Sequence, residues 1–382
     1  MPWKAVDTMS LREQFVSLAL NDGTNIALLC RRFGISRKTG YKWINRFLER
    51  GADGLMDRSR RPASAPYQTG TKMERKILLL RDIHHWGGRK IRKRLIDLGF
   101  SGVPAASTIS GILKRNGRVD PRESAKHTAY KRFEKAAPND LWQMDFKGHF
   151  PINSGRCHPL GVLDDHSRYS LGLRACSNER KTTVKDCLTA IFRRHGVPAA
   201  ILADNGSPWG TKQGEAFTGI EVWLMLVGVD VRHGRAKHPQ TQGKEERFHR
   251  TLKAELVNHE RFTDLAHCQR RFDWWRHVYN HERPHEALGM EVPASRYRPS
   301  DRVFPETLPS IEYGPEDLVR KVGKGGIIHY GNRKYRVGKA FTGYPVGLRP
   351  TDKDGVFRVF FRNTRIATLN ERISHLEPVE ER

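Results

Sequence analysis

The hydrophobic pattern of this chain changes period once, near residue 139, and that change constrains its fold more than any other feature. Before it, apolar residues recur at helical spacing; after it, they alternate as in strands, with helical stretches between. Such a chain divides into all-helical modules followed by an α/β domain. With 382 residues and 37% hydrophobic content, it can support several separate cores.

Residues 10 to 50 read as three short helices carrying Phe15, Leu18 and Leu20, then Ile26, Leu29 and Phe33, then Tyr41, Ile44 and Leu48. Gly34 stops the second and Ser36 is placed to cap the third, so RRFGISRKTGYKWINRF has the shape of a helix-turn-helix. Arg37, Lys38 and Thr39 would open a recognition helix toward base edges in the major groove, with Lys42 and Arg46 near phosphates. A basic helical packing module would instead leave the same lysines on a solvated face. The expected boundaries are a helix-turn-helix domain over 1–58 and a linker over 59–71, where Arg58, Arg60 and Arg61 could follow a DNA backbone. A second, winged-helix-like module spans 72–118, with Ser107 as a cap candidate and Lys114 and Arg115 as DNA contacts, and a linker covers 119–138. Two modules in tandem read a longer site than one, because the second contact is effectively intramolecular.

Charge narrows the partner. The formal net charge is +26, from 68 Lys and Arg against 42 Asp and Glu spread along most of the chain, which favours a polyanion. The five cysteines, Cys30, Cys157, Cys176, Cys187 and Cys268, are odd in number and contain no CxxC pair, which predicts reduced thiols and neither zinc nor a disulfide framework. The absence of an apolar run of about 18 residues or a signal-peptide pattern predicts a soluble, cytoplasmic protein with no membrane partner.

Against this charge three acidic residues stand out: Asp145 in DLWQMDFKGHF, Asp204 in AAILADNGSPW, and Glu246 in HPQTQGKEERFHRTLKAEL. A basic surface binds phosphate without preference, but holding magnesium there requires convergent carboxylates. Trp142, Met144 and Phe146 alternate with Gln143, Asp145 and Lys147, so a strand puts Asp145 opposite three apolar anchors. HPLGVLDDHSRYSLGLRA reads as a hairpin in which Asp164 and Asp165 are turn residues before they are metal ligands. TTVKDCLTAIFRRHG is a helix ending at Gly196, VPAAILADNGS a buried strand with Asp204 at its carboxyl end, EAFTGIEVWLMLVG a helix and VDVRH a short strand. On the helix beginning near Gly243, Phe248, Leu252 and Leu256 define the buried stripe; at about 100° per residue Glu245 falls inside it and Glu246 outside. Arg250 and Lys253 share the face of Glu246, and with His238, Lys244 and Arg247 they form a candidate contact surface for a DNA end.

The segments DFKG, LDDHSRY, ADNGS, HPQTQGKEERFHRTLK and YNHERPHEALGMEVPASRY, in this order, resemble the insertion-sequence transposases of the DDE superfamily, whose core is like that of retroviral integrases. The resemblance implies an RNase H-like catalytic core over 139–300, with Asp145, Asp204 and Glu246 as a triad binding two magnesium ions, for which manganese can substitute. It also implies cleavage that frees a 3′-OH at a transposon end, followed by joining to target DNA. The intervals are 59 (204 − 145) and 42 (246 − 204) positions, the second longer than the family's usual spacing of about 35. Partners would be double-stranded DNA, as terminal inverted repeats and target, and further copies of the chain in a dimer or tetramer bridging two ends, in a bacterial nucleoid-associated setting. From 311 to 376, short basic strands and turns read as a small SH3-like β-barrel, similar to the domain after the core in retroviral integrases, with Lys321, Lys324, Arg333, Lys334 and Arg336 as backbone contacts. The alternative from another class is a DNA-binding regulator with an inactive core, and a third is an RNase H-type nuclease.

Overall fold

The helical periods at the amino terminus become three helices, α1 (Thr8–Ala19), α2 (Ile26–Arg32) and α3 (Arg37–Arg50). This computed structural model describes residues 8–58, 68–119, 134–204, 206, 208–210, 217–233, 243–372 and 376–378. The chain forms two units, residues 1–68 and 69–382. In the first, Gly34 takes φ 63° just beyond α2, and Ser36 Oγ accepts the Thr39 N–H at 3.2 Å to cap α3. The core holds Phe15, Val16, Leu29, Cys30, Trp43, Ile44 and Leu55. Leu18, Leu20, Tyr41 and Leu48, expected inside, are exposed. The buried stripe of α3 runs through Gly40, Trp43 and Ile44, and one residue to either side of an i, i+3, i+4 stripe already faces water. Gly40 is needed there for space, since a Cβ would stand 2.5 Å from Cys30 Sγ and 2.9 Å from the Phe15 ring.

The second unit begins with α4 (Thr71–His84), α5 (Gly88–Asp97) and α6 (Ala106–Arg115), around Ile77, Trp86, Ile91, Leu95, Ile109, Ile112 and Leu113. Two expectations change here. Ser107 does not cap α6: the N-cap position is Ala105, which has no side-chain acceptor, and Ser107 lies inside the first turn. No strand accompanies these helices among the described residues, so the module is a trihelical one without a wing.

The strand-period region forms one sheet from β1 (Trp142–Phe146), β2 (Phe150–Ile152), β3 (Gly155–Asp164), β4 (Ser170–Cys176), β5 (Ala200–Ala203) and β6 (Asp230–His233). The long β3 pairs antiparallel with β1, β2 and β4, while β1, β5 and β6 are mutually parallel, giving the order β4-β3-β1-β5-β6 expected of an RNase H-like core. Both sheet faces are covered. Trp142, Met144, Leu160 and Val162 pack under α7 (Lys181–His195) and α8 (Gly219–Val227), and Cys157, Leu163 and Leu173 pack under α9 (Gly243–Glu255) and α10 (Leu265–His281). The α4–α6 module is held to this core by Val278 of α10 in its apolar interior, by His84 stacked against Trp86 and Trp274, and by the Arg94–Glu282 ion pair at 2.5 Å.

Helix α8 is apolar all round, a pattern that requires burial on every side. Ile220, Trp223, Leu224 and Val227 enter the core of the α/β sheet, whereas Val222, Met225 and Leu226, with Phe217, enter a second core built from the carboxy-terminal strands. Those strands are β7 (Leu318–Lys321), β8 (Ile327–Tyr330), β9 (Arg333–Arg336), β10 (Pro345–Pro350), β11 (Val356–Phe361), β12 (Thr364–Asn370) and β13 (Leu376–Pro378). They form an open five-stranded sheet, β13-β12-β11-β10-β7, and a separate β8–β9 hairpin rather than the closed barrel expected. The hairpin joins its neighbours through a single Gly323–Ile327 bridge, and α8 covers apolar surface that closing strands would otherwise bury. No helix among the described residues is long and apolar enough to cross a membrane.

Candidate active site

Strand β1 carries Asp145 at its fourth residue, and strand β5 ends one residue before Asp204. Trp142 lies opposite Ile201 and Gln143 opposite Leu202, an offset of 59 positions (201 − 142). The same offset separates 145 from 204, so continuing the parallel pairing brings the two carboxylates level at the carboxyl ends of neighbouring strands. Ligand sites of open α/β sheets occupy that edge. The Asp145 carboxyl is pushed up to about 7, first by burial, then by Asp204, with Glu179 and Glu246 adding to the effect. Asp145 therefore senses acidic groups from the end of β5, from Glu179 and from α9.

Helix α9 approaches β1 across Gly161, the cross-strand partner of Asp145. A Cβ on Gly161 would meet His249 Nε2 at 3.0 Å, Glu245 Oε2 at 3.1 Å and the Phe248 ring at 3.3 Å, so only glycine lets the helix come this close. As the helical angle predicts, α9 buries Glu245, Phe248, His249 and Leu252 and exposes Glu246, Arg247, Arg250 and Lys253. Glu245 is 1% exposed, and burial, followed by the charge of Asp145, raises its carboxyl well above the usual range. Neither of its oxygens has a hydrogen-bond partner. Burial lowers His249 to about 3, which keeps the imidazole neutral between Asp145 and Glu245, at 3.8 and 3.7 Å.

Asp204 is held through its backbone. His233, at the end of β6, places Nδ1 3.2 Å from the Asp204 carbonyl and Nε2 2.8 Å from the buried Glu221 carboxylate, which also accepts the Thr218 N–H in the capping box of α8. Asp164 and Asp165, both read as turn residues, are fully buried; Asp165 lies in the turn, whereas Asp164 closes strand β3 opposite Trp142. Asp164 accepts from the Asn139 N–H at 3.1 Å and the Ser167 hydroxyl at 3.1 Å.

Among the described residues no three His, Cys, Asp or Glu side chains form a closed metal-holding cluster. The donor chemistry nevertheless suits a hard divalent cation: Asp145, Asp204 and Glu246 offer carboxylate oxygens, and the Asp145 carboxyl is raised by burial first and then by nearby acidic groups.

The remaining candidates divide by environment. Arg37 and Lys38 are exposed at the start of α3, while Thr39 is half-buried with its hydroxyl 2.9 Å from that of Ser36. Lys42 and Arg46 lie 4.6 and 5.1 Å from the centre of the Trp43 ring, which Arg12 also covers at 4.0 Å. Arg58 makes a 4.0 Å ion pair with Glu49; Lys114 and Arg115 are exposed at the end of α6. Lys244, expected in the contact surface, pairs its ammonium with Asp165, and its side chain is 16% exposed. Arg333 donates to the Glu371 carbonyl, and Lys321, Lys324, Lys334 and Arg336 are exposed. Arg60, Arg61 and His238 lie outside the described residues. Sequence reasoning missed Gly161, His233 and His249; the first is visible only as a glycine inside a strand, a sign of close backbone approach.

Family comparisons agree with this architecture. Two Integrase core domain models match residues 135–239 and 227–293, and the IS481 family transposase C-terminal domain matches 317–374. A Helix-turn-helix domain matches 11–63 and a Homeodomain-like domain 39–113. An uncharacterized 31.7 kDa protein of insertion element IS407 from Burkholderia multivorans is 28% identical over 158 residues, 41% of this chain and 55% of that protein. An uncharacterized 39.2 kDa protein of IS476 from Xanthomonas euvesicatoria is 27% identical over 247 residues, 63% of this chain and 69% of that protein. The transposase of IS904 from Lactococcus lactis is 29% identical over 164 residues, 42% of this chain and 62% of that protein. The chain thus spans little more than half the length of the IS407 protein it matches. With an integrase core between helix-turn-helix modules and an IS481-type carboxy-terminal domain, the chain is a relative of the insertion-sequence transposases that carry an integrase-like core.

Proposed function

We propose that this protein is a DNA transposase that binds the terminal repeats of its element, cleaves a strand to free a 3′-OH and joins that end to target DNA. The observation that supports it most is the parallel register of β1 and β5, which continues to Asp145 beside Asp204, with the Asp145 carboxyl raised to about 7 by burial, then by Asp204, Glu179 and Glu246. Carboxylates on β1, just after β5 and on α9, in a chain of net charge +26, suit a divalent cation as ligands. Asp145, Asp204 and Glu246 would hold two magnesium ions, or manganese in their place. When bound, such ions supply activation of the attacking oxygen and charge stabilisation of the leaving oxygen at a phosphodiester.

The chain's own residues do the rest. Exposed Arg250 and Lys253 follow Glu246 along α9 and would grip backbone phosphates of the end being cut. Arg37 and Lys38 would read base edges, and Lys42 and Arg46, steadied on Trp43, would hold the register. Basic strands of the carboxy-terminal sheet would take further backbone contacts and bring copies of the chain together, a dimer or tetramer spanning two ends. The setting is the bacterial nucleoid.

The test is a joining assay with purified full-length protein, magnesium and duplexes carrying the terminal repeats that flank the gene. Wild type should nick and join them, and Asp145→Asn, Asp204→Asn and Glu246→Gln should each abolish joining, while Glu245→Gln retains it. Tight binding of those ends by wild type without nicking or joining would replace this reading with that of a DNA-binding regulator.

A further inference from the structure

Asp165 is the polar centre of the turn between β3 and β4, and its carboxylate is fully buried. One oxygen, Oδ1, accepts from Gln143 Nε2 at 2.7 Å and from the Lys244 ammonium. The other, Oδ2, accepts the Lys135 backbone N–H at 2.8 Å, and the Asp165 carbonyl accepts a second contact from Lys244 at 3.1 Å. Gln143 stands two residues before Asp145 on β1, and Lys244 two residues before Glu246 on α9. The Arg168 guanidinium closes the turn by donating to the Asp165 carbonyl.

A buried carboxylate with no solvent shell is costly unless donors occupy its lone pairs, and this arrangement supplies three to the side chain. Those donors come from elements far apart in sequence, so the charge is satisfied only when β1 and the first turn of α9 are in register. We propose that Asp165 is a positioning residue that locks Asp145 and Glu246 into one arrangement through Gln143 and Lys244, and that Lys244 serves this clamp rather than DNA. The inference rests on the reading of Asp145 and Glu246 as a catalytic pair. It asks no contact of Asp165 with the reacting atoms.

Lys244→Met opens the clamp from the α9 side and leaves Asp165 with Gln143 and Lys135, so the variant should fold. In the joining assay kcat should fall roughly 10- to 100-fold, the range for misplacing a reacting group by a fraction of an ångström to about one. KM for the end duplex should stay within about two-fold, since no phosphate contact is lost. Amide hydrogen exchange on the full-length protein should quicken in residues 243–248 and leave α7 unchanged. Asp165→Asn combined with Lys244→Met should be no slower than the slower single variant, because both break one device. A raised KM with unchanged kcat would make Lys244 a DNA contact and overturn the proposal, as would unaltered exchange in α9. If wild type itself neither cuts nor joins, the transposase reading fails, and the exchange comparison still decides whether the clamp exists.

Discussion

Replacing Gly161 with alanine tests the packing that brings α9 to β1. The added Cβ would stand 3.0 Å from His249 Nε2, 3.1 Å from Glu245 Oε2 and 3.3 Å from the Phe248 ring, all on the same helix. Ordinary carbon contacts begin near 3.5 Å, so α9 must withdraw by about half an ångström. Gly161 has no left-handed backbone requirement, and the whole effect is therefore steric. Overpacking of this kind costs roughly 1–3 kcal/mol, which lowers Tm by about 2–5 °C in a unit of this size. Because Asp145 is the cross-strand partner of Gly161 and Glu246 rides on α9, their separation should grow too, with joining reduced about ten-fold. Gly172→Ala is the matched control: its Cβ would meet Ile191 Cδ1 at 2.4 Å under α7, which costs stability on the face away from α9. Scanning calorimetry and the joining assay on both variants decide the matter. If, per folded molecule, Gly161→Ala joins DNA as well as Gly172→Ala does, the close approach of α9 does not set the site.

Three further outcomes are expected. His195 is 5% exposed and burial lowers it to about 4, so below the unfolded value of 6.5 the unfolded chain binds more protons and stability falls as pH drops from 6.5 to 4. The loss amounts to roughly 3 kcal/mol, and His195→Leu should make that part of a Tm-versus-pH curve less steep than in wild type by this one group's share, with no difference in slope above pH 7. Met225→Asp places a charge in the apolar seam between α8 and the carboxy-terminal sheet, so limited proteolysis should release a fragment beginning near residue 310 that wild type retains. Arg37→Ala with Lys38→Ala should weaken binding of terminal-repeat duplexes by about 1–3 kcal/mol per lost base contact in a mobility-shift titration, while the Tm of the protein stays within a degree.

Much of this molecule is legible in one dimension. Period, caps and stop signals identify α1 to α3, the β3–β4 turn, and the helix that ends at Gly196, because such signals act between residues a few positions apart. The angle between Glu245 and Glu246 on a helix is equally local, and it separates the buried carboxyl from the exposed one. Local signals fail where two segments compete for the same residue. Tyr41 and Leu48 look like core residues by spacing yet face water, while Trp43 and Ile44 enter the core; the contact of Lys244 with Asp165, 79 positions earlier, has no local signal at all. Closing strands look available for a barrel until α8 presents its second apolar face. By itself, the amino-acid order determined the kinds of elements, the acidic residues that could act together and the basic character of the surface. Tertiary structure alone decided which charge is neutralised by which partner and how near α9 comes to β1, because burial and packing depend on segments far apart in the chain meeting at ångström distances.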